Sequence, residues 1–249
     1  RMIIIKSSAE LEIMRRAGRL VAQVLQAVAA AAKPGATTAE LDQMAERMCR
    51  TEGALPAFKG YRGYPYSLCC SLNHEVVHGF PRKEPLKEGD LLSVDFGVLL
   101  DGFYGDSALT VAVGEVGPEA RALMDATRRS LEAGIAQCRA GNRLGDVSHA
   151  IQRVVEGAGF SVVRQFVGHG IGRGLHEEPQ VPNWGDAGRG VKLKPGMVLA
   201  IEPMVNAGGY EVKVLKDGWT AVTVDGKLSA HFEHTVAVGE DGPRILSLT

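Results

Sequence analysis

No uninterrupted apolar stretch in this chain approaches the roughly 18–20 residues of a membrane span, which argues against a transmembrane helix. An excess of one charge is missing too. Lys and Arg number 28 against 29 Asp and Glu, a balance that argues against a nucleic-acid surface or a polybasic membrane anchor. Cysteine is scarce: Cys49, Cys69, Cys70 and Cys138 have no C-x-x-C spacing and are too few to staple 249 residues, so they read as reduced thiols. A basic, apolar N-terminus with a small-residue cleavage site is also lacking, so no secretory signal is expected and the chain reads as cytoplasmic. Arg1 ahead of Met2 reads as an upstream remnant. No Pro/Gly/Ser-rich linker divides the chain, and 45% hydrophobic residues suffice for a substantial core, which predicts one domain over residues 1–249.

Two capping boxes mark the first helices. Ser7-Ser8-Ala9-Glu10 precedes Leu11, Met14, Gly18, Val21, Leu25 and Val28 at helical spacing, and Lys33-Pro34-Gly35 stops the run. Thr37-Thr38-Ala39-Glu40 precedes Leu41, Met44, Ala45 and Met48, with Gly53 as the stop. β-type residues follow around Ser67 to Leu72. After Gly117-Pro118 a third helix is predicted on Ala120, Leu123, Ala126, Thr127, Leu131 and Ile135, and a fourth on Val147, Ile151, Val154 and Val155. Strands are then predicted at Ser161 to Val167, Met197 to Val205, Tyr210 to Lys216 with Trp219 to Val224 as a hairpin about Asp217-Gly218, and Ser229 to Val238 as the last strand. Two helices precede each β-rich stretch. This order predicts an α+β fold of two similar halves, whose helices cover one face of a curved antiparallel sheet.

The chemistry concentrates in a hairpin. Leu91 to Leu100 and Phe103 to Val113 are apolar, β-prone runs about Asp101-Gly102, a pair that favours a tight I′ turn. With Leu100 opposite Phe103, Asp106 lies across from Gly97 and Asp95 from Ala108, so both Asp side chains share a face. As diagonal neighbours their Cα atoms are about 7–8 Å apart, close enough to share ions about 3.5–4 Å apart. A single Asp inside a strand usually marks an edge with its carboxylate in water. Two on one face, together with Ser93 and Gly97, would repel across the ladder unless something partners them. Downstream, His169, Glu202 and Glu233 fall in strand or strand-edge segments. Four carboxylates and one imidazole are the donors a pair of hard divalent metals needs. Oxygen-rich ligation of this kind suits Mn, Fe(II), Co or Zn and lacks the thiolates of a structural zinc site.

The glycine-rich run Gly168-His169-Gly170-Ile171-Gly172-Arg173-Gly174-Leu175-His176 reads as a loop that brings backbone close to a substrate. It lacks the P-loop Lys-Ser/Thr, and its spacing does not match a dinucleotide fingerprint, so nucleotide binding is not expected. His74, His231 and His234 read as satisfied structural residues, and His149, in a helical pattern, reads as a surface residue.

Seven segments in order carry a resemblance. They are Gly60-Tyr61-Arg62-Gly63-Tyr64-Pro65, Asn73-His74-Glu75-Val76-Val77-His78-Gly79, Asp101-Gly102-Phe103-Tyr104-Gly105-Asp106, Gly168-His169-Gly170-Ile171-Gly172, His176-Glu177-Glu178-Pro179-Gln180, Ile201-Glu202-Pro203-Met204 and Phe232-Glu233-His234-Thr235. On these the chain resembles the type I methionine aminopeptidases, a family with the pita-bread fold, from the first helix to the last predicted strand. Two positions depart from the family pattern. Arg62 stands where the family often has a His, and Leu175 where an aromatic residue often precedes the second His; both concern pocket lining and neither touches the metal set.

The resemblance implies removal of the initiator methionine from nascent chains with a small second residue. It implies two divalent metal ions, with Asp95 and Asp106 chelating and bridging, His169 completing one metal, and Glu202 and Glu233 binding both. A bridging hydroxide is the implied nucleophile and Glu202 the proton shuttle. His78 is assigned to the scissile amide and His176 to the tetrahedral intermediate. Tyr61, Tyr64, Cys69 and Trp219, with Leu175, are the implied pocket walls, and Asn73 and Ser229 match positions that help hold a monovalent cation. The implied partners are nascent N-termini, at the ribosome, with the enzyme acting as a compact bacterial-type monomer without a zinc-finger module. An Xaa-Pro peptidase shares the five ligands but usually carries a sizeable N-terminal domain. A type II methionine aminopeptidase carries a helical insert between His176 and Glu202, for which the gap here is too short. A metal-free binding module would not need all five ligands.

Overall fold

The structure is a computed structural model that describes residues 2–249, so the reading of Arg1 lies outside the described residues. Helices α1 (Ser8–Ala31) and α2 (Thr38–Thr51) come first, and both predicted capping boxes form. In each, the cap hydroxyl accepts from the backbone N–H of the Glu three residues on, and that Glu accepts from the cap N–H. Then come β1 (Leu55–Pro56), a short 3-10 turn at Tyr61–Gly63, β2 (Leu68–Leu72), β3 (Glu75–Val77), β4 (Leu91–Leu100) and β5 (Phe103–Ala112). Helices α3 (Pro118–Gln137) and α4 (Leu144–Gly157) open the second half. It continues with β6 (Ser161–Val162), β7 (Gly168–Gly170), β8 (Glu177–Val181), β9 (Val198–Ile201), β10 (Met204–Asn206), β11 (Val212–Val214), β12 (Ala221–Thr223), β13 (Ser229–His231), β14 (Glu233–Val238) and β15 (Pro243–Ile245).

The main sheet has nine strands and runs β1-β4-β5-β14-β9-β7-β8, with β2 also on β4 and β15 also on β14; every recorded pairing in it is antiparallel. Two three-stranded sheets, β13-β10-β6 and β11-β12-β3, complete the β layer. This is the curved antiparallel sheet with four helices of the pita-bread fold.

Alternation along β4 sorts the two faces of the first half. Leu92, Val94, Phe96 and Val98 pack with Val21, Val24, Leu25 and Val28 of α1 in one core cluster. Asp95 and Gly97 therefore point to the opposite face. Gly105 lies on the helix face because no larger residue fits there: a Cβ would stand 2.9 Å from backbone atoms of Ala17 and Gly18. A second core cluster joins α3 and α4 to β9 and β14 through Leu123, Leu131, Val147, Ile151, Leu199 and Val236.

Several predicted strands are shorter or broken. The run Met197 to Val205 is interrupted at Glu202-Pro203, because Pro203 has no N–H for the ladder and the two pieces join different sheets. Ser229 to Val238 is likewise split at Phe232, and β15 follows it, so it is not the last strand. Of the run to Val167, only Ser161 and Val162 form a strand, with Val163 N donating on to Met204 O at 2.9 Å. The glycine-rich run opens as a strand rather than a loop: Gly168 and Gly170 lie against the backbones of Ala200 and Glu178, where a Cβ would come within 2.3 Å. All four cysteines are free and buried.

Candidate metal centre

The hairpin register is as the Asp101-Gly102 turn dictates. Gly97 pairs with Asp106 and Asp95 with Ala108, and Asp101 and Gly102 adopt the positive φ angles of 48° and 80° that the tight turn needs. Neighbouring strands extend these rows. Cys69 pairs with Asp95, and Ala108 with Glu233, so Cys69, Asp95, Ala108 and Glu233 line up across four strands. In the adjacent row, His169 pairs with Ala200, and Ala200 with Thr235. The Thr235 hydroxyl donates to Asp106 O at 2.7 Å and accepts from Asp106 N at 3.1 Å. Glu202, just past the end of β9, continues the register that pairs Ile201 with His234 and so comes beside Glu233.

Asp106, His169 and Glu233 offer ligand atoms that all lie within 4.8 Å of one another, and so do Glu202, His231 and Glu233. His169 Nε2 is 3.5 Å from Glu202 Oε1 and 3.9 Å from Asp106 Oδ2. Its Nδ1–H donates to Gly170 O at 3.0 Å, which leaves the Nε2 lone pair facing the carboxylates. The five side chains assigned to the metals thus converge on one pocket, lined also by Phe58, Tyr61, Arg62, Tyr64, Cys69, His78, Leu175, His176 and Trp219.

Electrostatically the floor is unfinished. Burial raises the Asp95 carboxyl to about 7 and that of Glu202 to about 8, and pushes Asp106 and Glu233 well above the carboxylate range, with mutual repulsion adding to it. Burial likewise lowers His169 to about 3. Among the described residues, the buried side-chain atoms without a hydrogen-bond partner are Asp95 Oδ1, Asp106 Oδ1, Glu233 Oε1, His231 Nε2 and Asn183 Oδ1. All but the last belong to this cluster. Buried carboxylates orphaned together, with an imidazole lone pair aimed at them, fit divalent cations: the positive charge is what would let them ionise out of water.

His231, expected to be a satisfied structural residue, has a buried Nε2 with no hydrogen-bond partner. It is 1% exposed, and its Nε2 stands 3.4 Å from Glu202 Oε2. His74, His149 and His234 stay outside the cluster; His149 is half-buried, with Nδ1 3.2 Å from Gly185 O, and His234 contacts Ser247.

Tyr61, Tyr64, Cys69, Leu175 and Trp219 all line this pocket. Tyr64 packs edge-on to Trp219 at 5.1 Å, and its single hydroxyl proton is shared between Leu68 O at 3.1 Å and Gly79 O at 3.0 Å. Leu175, 2% exposed, belongs to the same cluster as Tyr64 and Cys69. Phe58 was missed; it lies over Gly97, where a Cβ would sit 2.9 Å from its ring. His78, in the left-handed conformation at φ 61°, sits edge-on to Phe166 and Trp219, and burial lowers its pKa to about 4. His176 stacks between Tyr61 and His169, with Nδ1 2.9 Å from the Tyr61 hydroxyl. Desolvation, then the nearby Arg62 charge, lowers it to about 4. Asn73 and Ser229 are neighbours, Ser229 N donating to Asn73 O, but both side chains are already hydrogen-bonded within the protein.

Such a sheet with a buried carboxylate-histidine cluster defines a metallopeptidase of the pita-bread class. Consistent with this, a model of metallopeptidase family M24 matches residues 12–240, and the chain belongs to that family. It is 54% identical over 247 residues to the methionine aminopeptidase of Clostridium perfringens, covering 99% of both chains. It superposes on the crystal structure of methionine aminopeptidase from Thermotoga maritima with a TM-score of 0.98 at 50% identity, covering both chains entirely. A prolidase from Pyrococcus horikoshii shares the fold, with a TM-score of 0.81 at 20% identity, and the chain covers 64% of it.

Proposed function

We propose that this chain is a methionyl aminopeptidase that hydrolyses the N-terminal methionine from peptides and nascent proteins with a small second residue, using two divalent ions held by Asp95, Asp106, His169, Glu202 and Glu233. The observation that carries the reading is the pairing of an ionically incomplete carboxylate floor with apolar and aromatic walls in one pocket. Full-length likeness to methionine aminopeptidases supports the substrate.

When bound, such ions lower the pKa of water and polarise the scissile carbonyl. The rest falls to the chain's own groups. The pocket encloses about 150 Å³, below the ~300–1,000 Å³ of a drug-sized site, so it holds one side chain rather than a folded segment. Tyr64, Cys69, Leu175, Trp219 and Phe58 give it apolar and aromatic surfaces, which suit a flexible thioether. His78 and His176, both neutral near pH 7 because their pKa values lie near 4, can each present an N–H: His78 to the scissile amide, His176 to the oxygen that gains charge. Tyr61 fixes the His176 ring through Nδ1. Glu202, whose side chain is 13% exposed, is positioned to take a proton from the attacking water and return it to the leaving amine.

Residues 1–249 form a single catalytic domain in this reading, acting as a cytoplasmic monomer on chains emerging at the ribosome. No helix among the described residues is long and apolar enough to cross a membrane. A monovalent cation near Asn73 and Ser229 would have to be held by backbone carbonyls. The test is a substrate panel with and without chelator: Met-Ala-Ser is cleaved, Leu-Ala-Ser and an Xaa-Pro peptide are not, and chelation abolishes turnover. Cleavage of the Xaa-Pro peptide alone would replace this function with the prolidase one.

A further inference from the structure

Burial of the lining residues shows which end of the pocket opens. Phe58, Tyr64, Cys69, Asp106, His169, Leu175 and Glu233 are buried, and only Arg62 and His176 are exposed. An aminopeptidase substrate enters with its N-terminus toward the floor, so the rest of the peptide leaves past these two residues. His176 is engaged with Tyr61; the Arg62 guanidinium is not engaged with any carboxylate. Among the described residues it forms no salt bridge; its carbon stands 5.4 Å from the ring of its own neighbour, Tyr61, and its charge acts on His176.

The position of Arg62 is set by backbone alone. It occupies the left-handed region at φ 49°, ψ 25° in a turn bounded by Gly60 and Gly63. The turn is closed by Gly60 N donating to Tyr64 O at 2.7 Å and Tyr61 N to Phe58 O at 2.9 Å. A change of the Arg62 side chain therefore leaves the turn in place.

Resting on the proposed function, we infer that Arg62 is a specificity-determining residue that makes this enzyme favour substrates with an acidic side chain at the third or fourth position. With two divalent ions on the floor, four carboxylates are offset and Arg62 remains the unpaired charge at the mouth. A peptide advances about 3.3–3.6 Å per residue, so the third and fourth side chains leave the rim within about one Debye length, ~8 Å at physiological salt. The second residue, held small, gives no purchase for a charge. Because Arg62 is exposed, its effect lies in the range of solvated pairs and acts on encounter more than on turnover.

The experiment uses the metal-loaded enzyme and C-terminally amidated Met-Ala-X-Ser and Met-Ala-Ser-X peptides, with X Glu, Gln or Lys. Wild-type kcat/KM is expected to favour Glu over Lys by about 3-fold or more at low salt, mostly through KM, and the preference should vanish at about 0.5 M salt. Arg62→Gln abolishes the preference, Arg62→Glu reverses it, and Arg62→Lys retains it. Equal losses on Glu, Gln and Lys peptides in the Arg62→Gln protein, or no preference in the wild type, would overturn the inference while leaving the aminopeptidase intact. Failure to cleave any of the peptides, Met-Ala-Ser included, would instead overturn the proposed function.

Discussion

The floor of the pocket and its rim use the same kinds of side chain in opposite surroundings. Asp106, His169 and Glu233 are at most 7% exposed, whereas His176 and Arg62 face solvent. On the floor, charge survives only if a partner arrives, because burial raises every one of these carboxyls toward its neutral form. At the rim the exposed Arg62 guanidinium keeps its charge in water, so it can select a substrate and still be lost without loss of the centre. Floor and rim should therefore respond to mutation in different currencies: metal content below, turnover and selectivity above.

Asp106→Asn or Glu233→Gln should break the floor outright. Activity is expected to fall by more than the ~10–100-fold seen when only a supporting partner of a ligand is lost, with metal content by atomic spectroscopy falling in parallel. Full metal content in either variant would dissolve the distinction. His78→Ala and His176→Ala should lower kcat by about 100-fold while metal content stays at the wild-type level. Metal loss from either would move that histidine to the floor. His231→Asn sharpens the boundary. Since His231 touches Glu202, calorimetric metal affinity should weaken about 10-fold, with kcat near wild type at saturating metal; a kcat loss that metal does not restore would place His231 in the chemistry.

The gentlest test needs no mutation. Without cations, the folded protein keeps protons on Asp95 and Glu202 up to about 7 and about 8, while the unfolded chain releases them in the ordinary carboxylate range. The native state thus binds more protons than the unfolded one, and unfolding free energy falls as pH rises through that window. The buried histidines, lowered to about 3 or 4, act in the opposite sense below their ordinary range of about 6.5, so the denaturant midpoint of the chelated protein should drop between about pH 7 and about pH 8, and added manganese(II) should remove much of the drop. A midpoint that rises with pH between about 7 and about 8 in the chelated protein would mean the carboxylates are already partnered.

How much was legible in the sequence follows the reach of the interactions. The β4–β5 hairpin, register included, could be read because a local Asp101-Gly102 turn sets every pair from Leu91↔Ala112 to Leu100↔Phe103. The capping boxes of α1 and α2 are local in the same way. The second half resists such reading. Glu202 and Glu233 sit at strand breaks, where Pro203 removes a donor and the chain passes between sheets. His231 meets Glu202 only because β13 pairs with β10 and β14 with β9, contacts no local pattern encodes. Phe58 was invisible for the same reason, its place above Gly97 depending on the pairing of a two-residue strand with β4.

Titrating chelator-stripped protein with manganese(II) while following methionine release from Met-Ala-Ser tests the floor most directly. No turnover before metal is added, and turnover that rises with occupancy until the site is full, is the predicted result. Turnover in the stripped protein that manganese leaves unchanged would contradict the account.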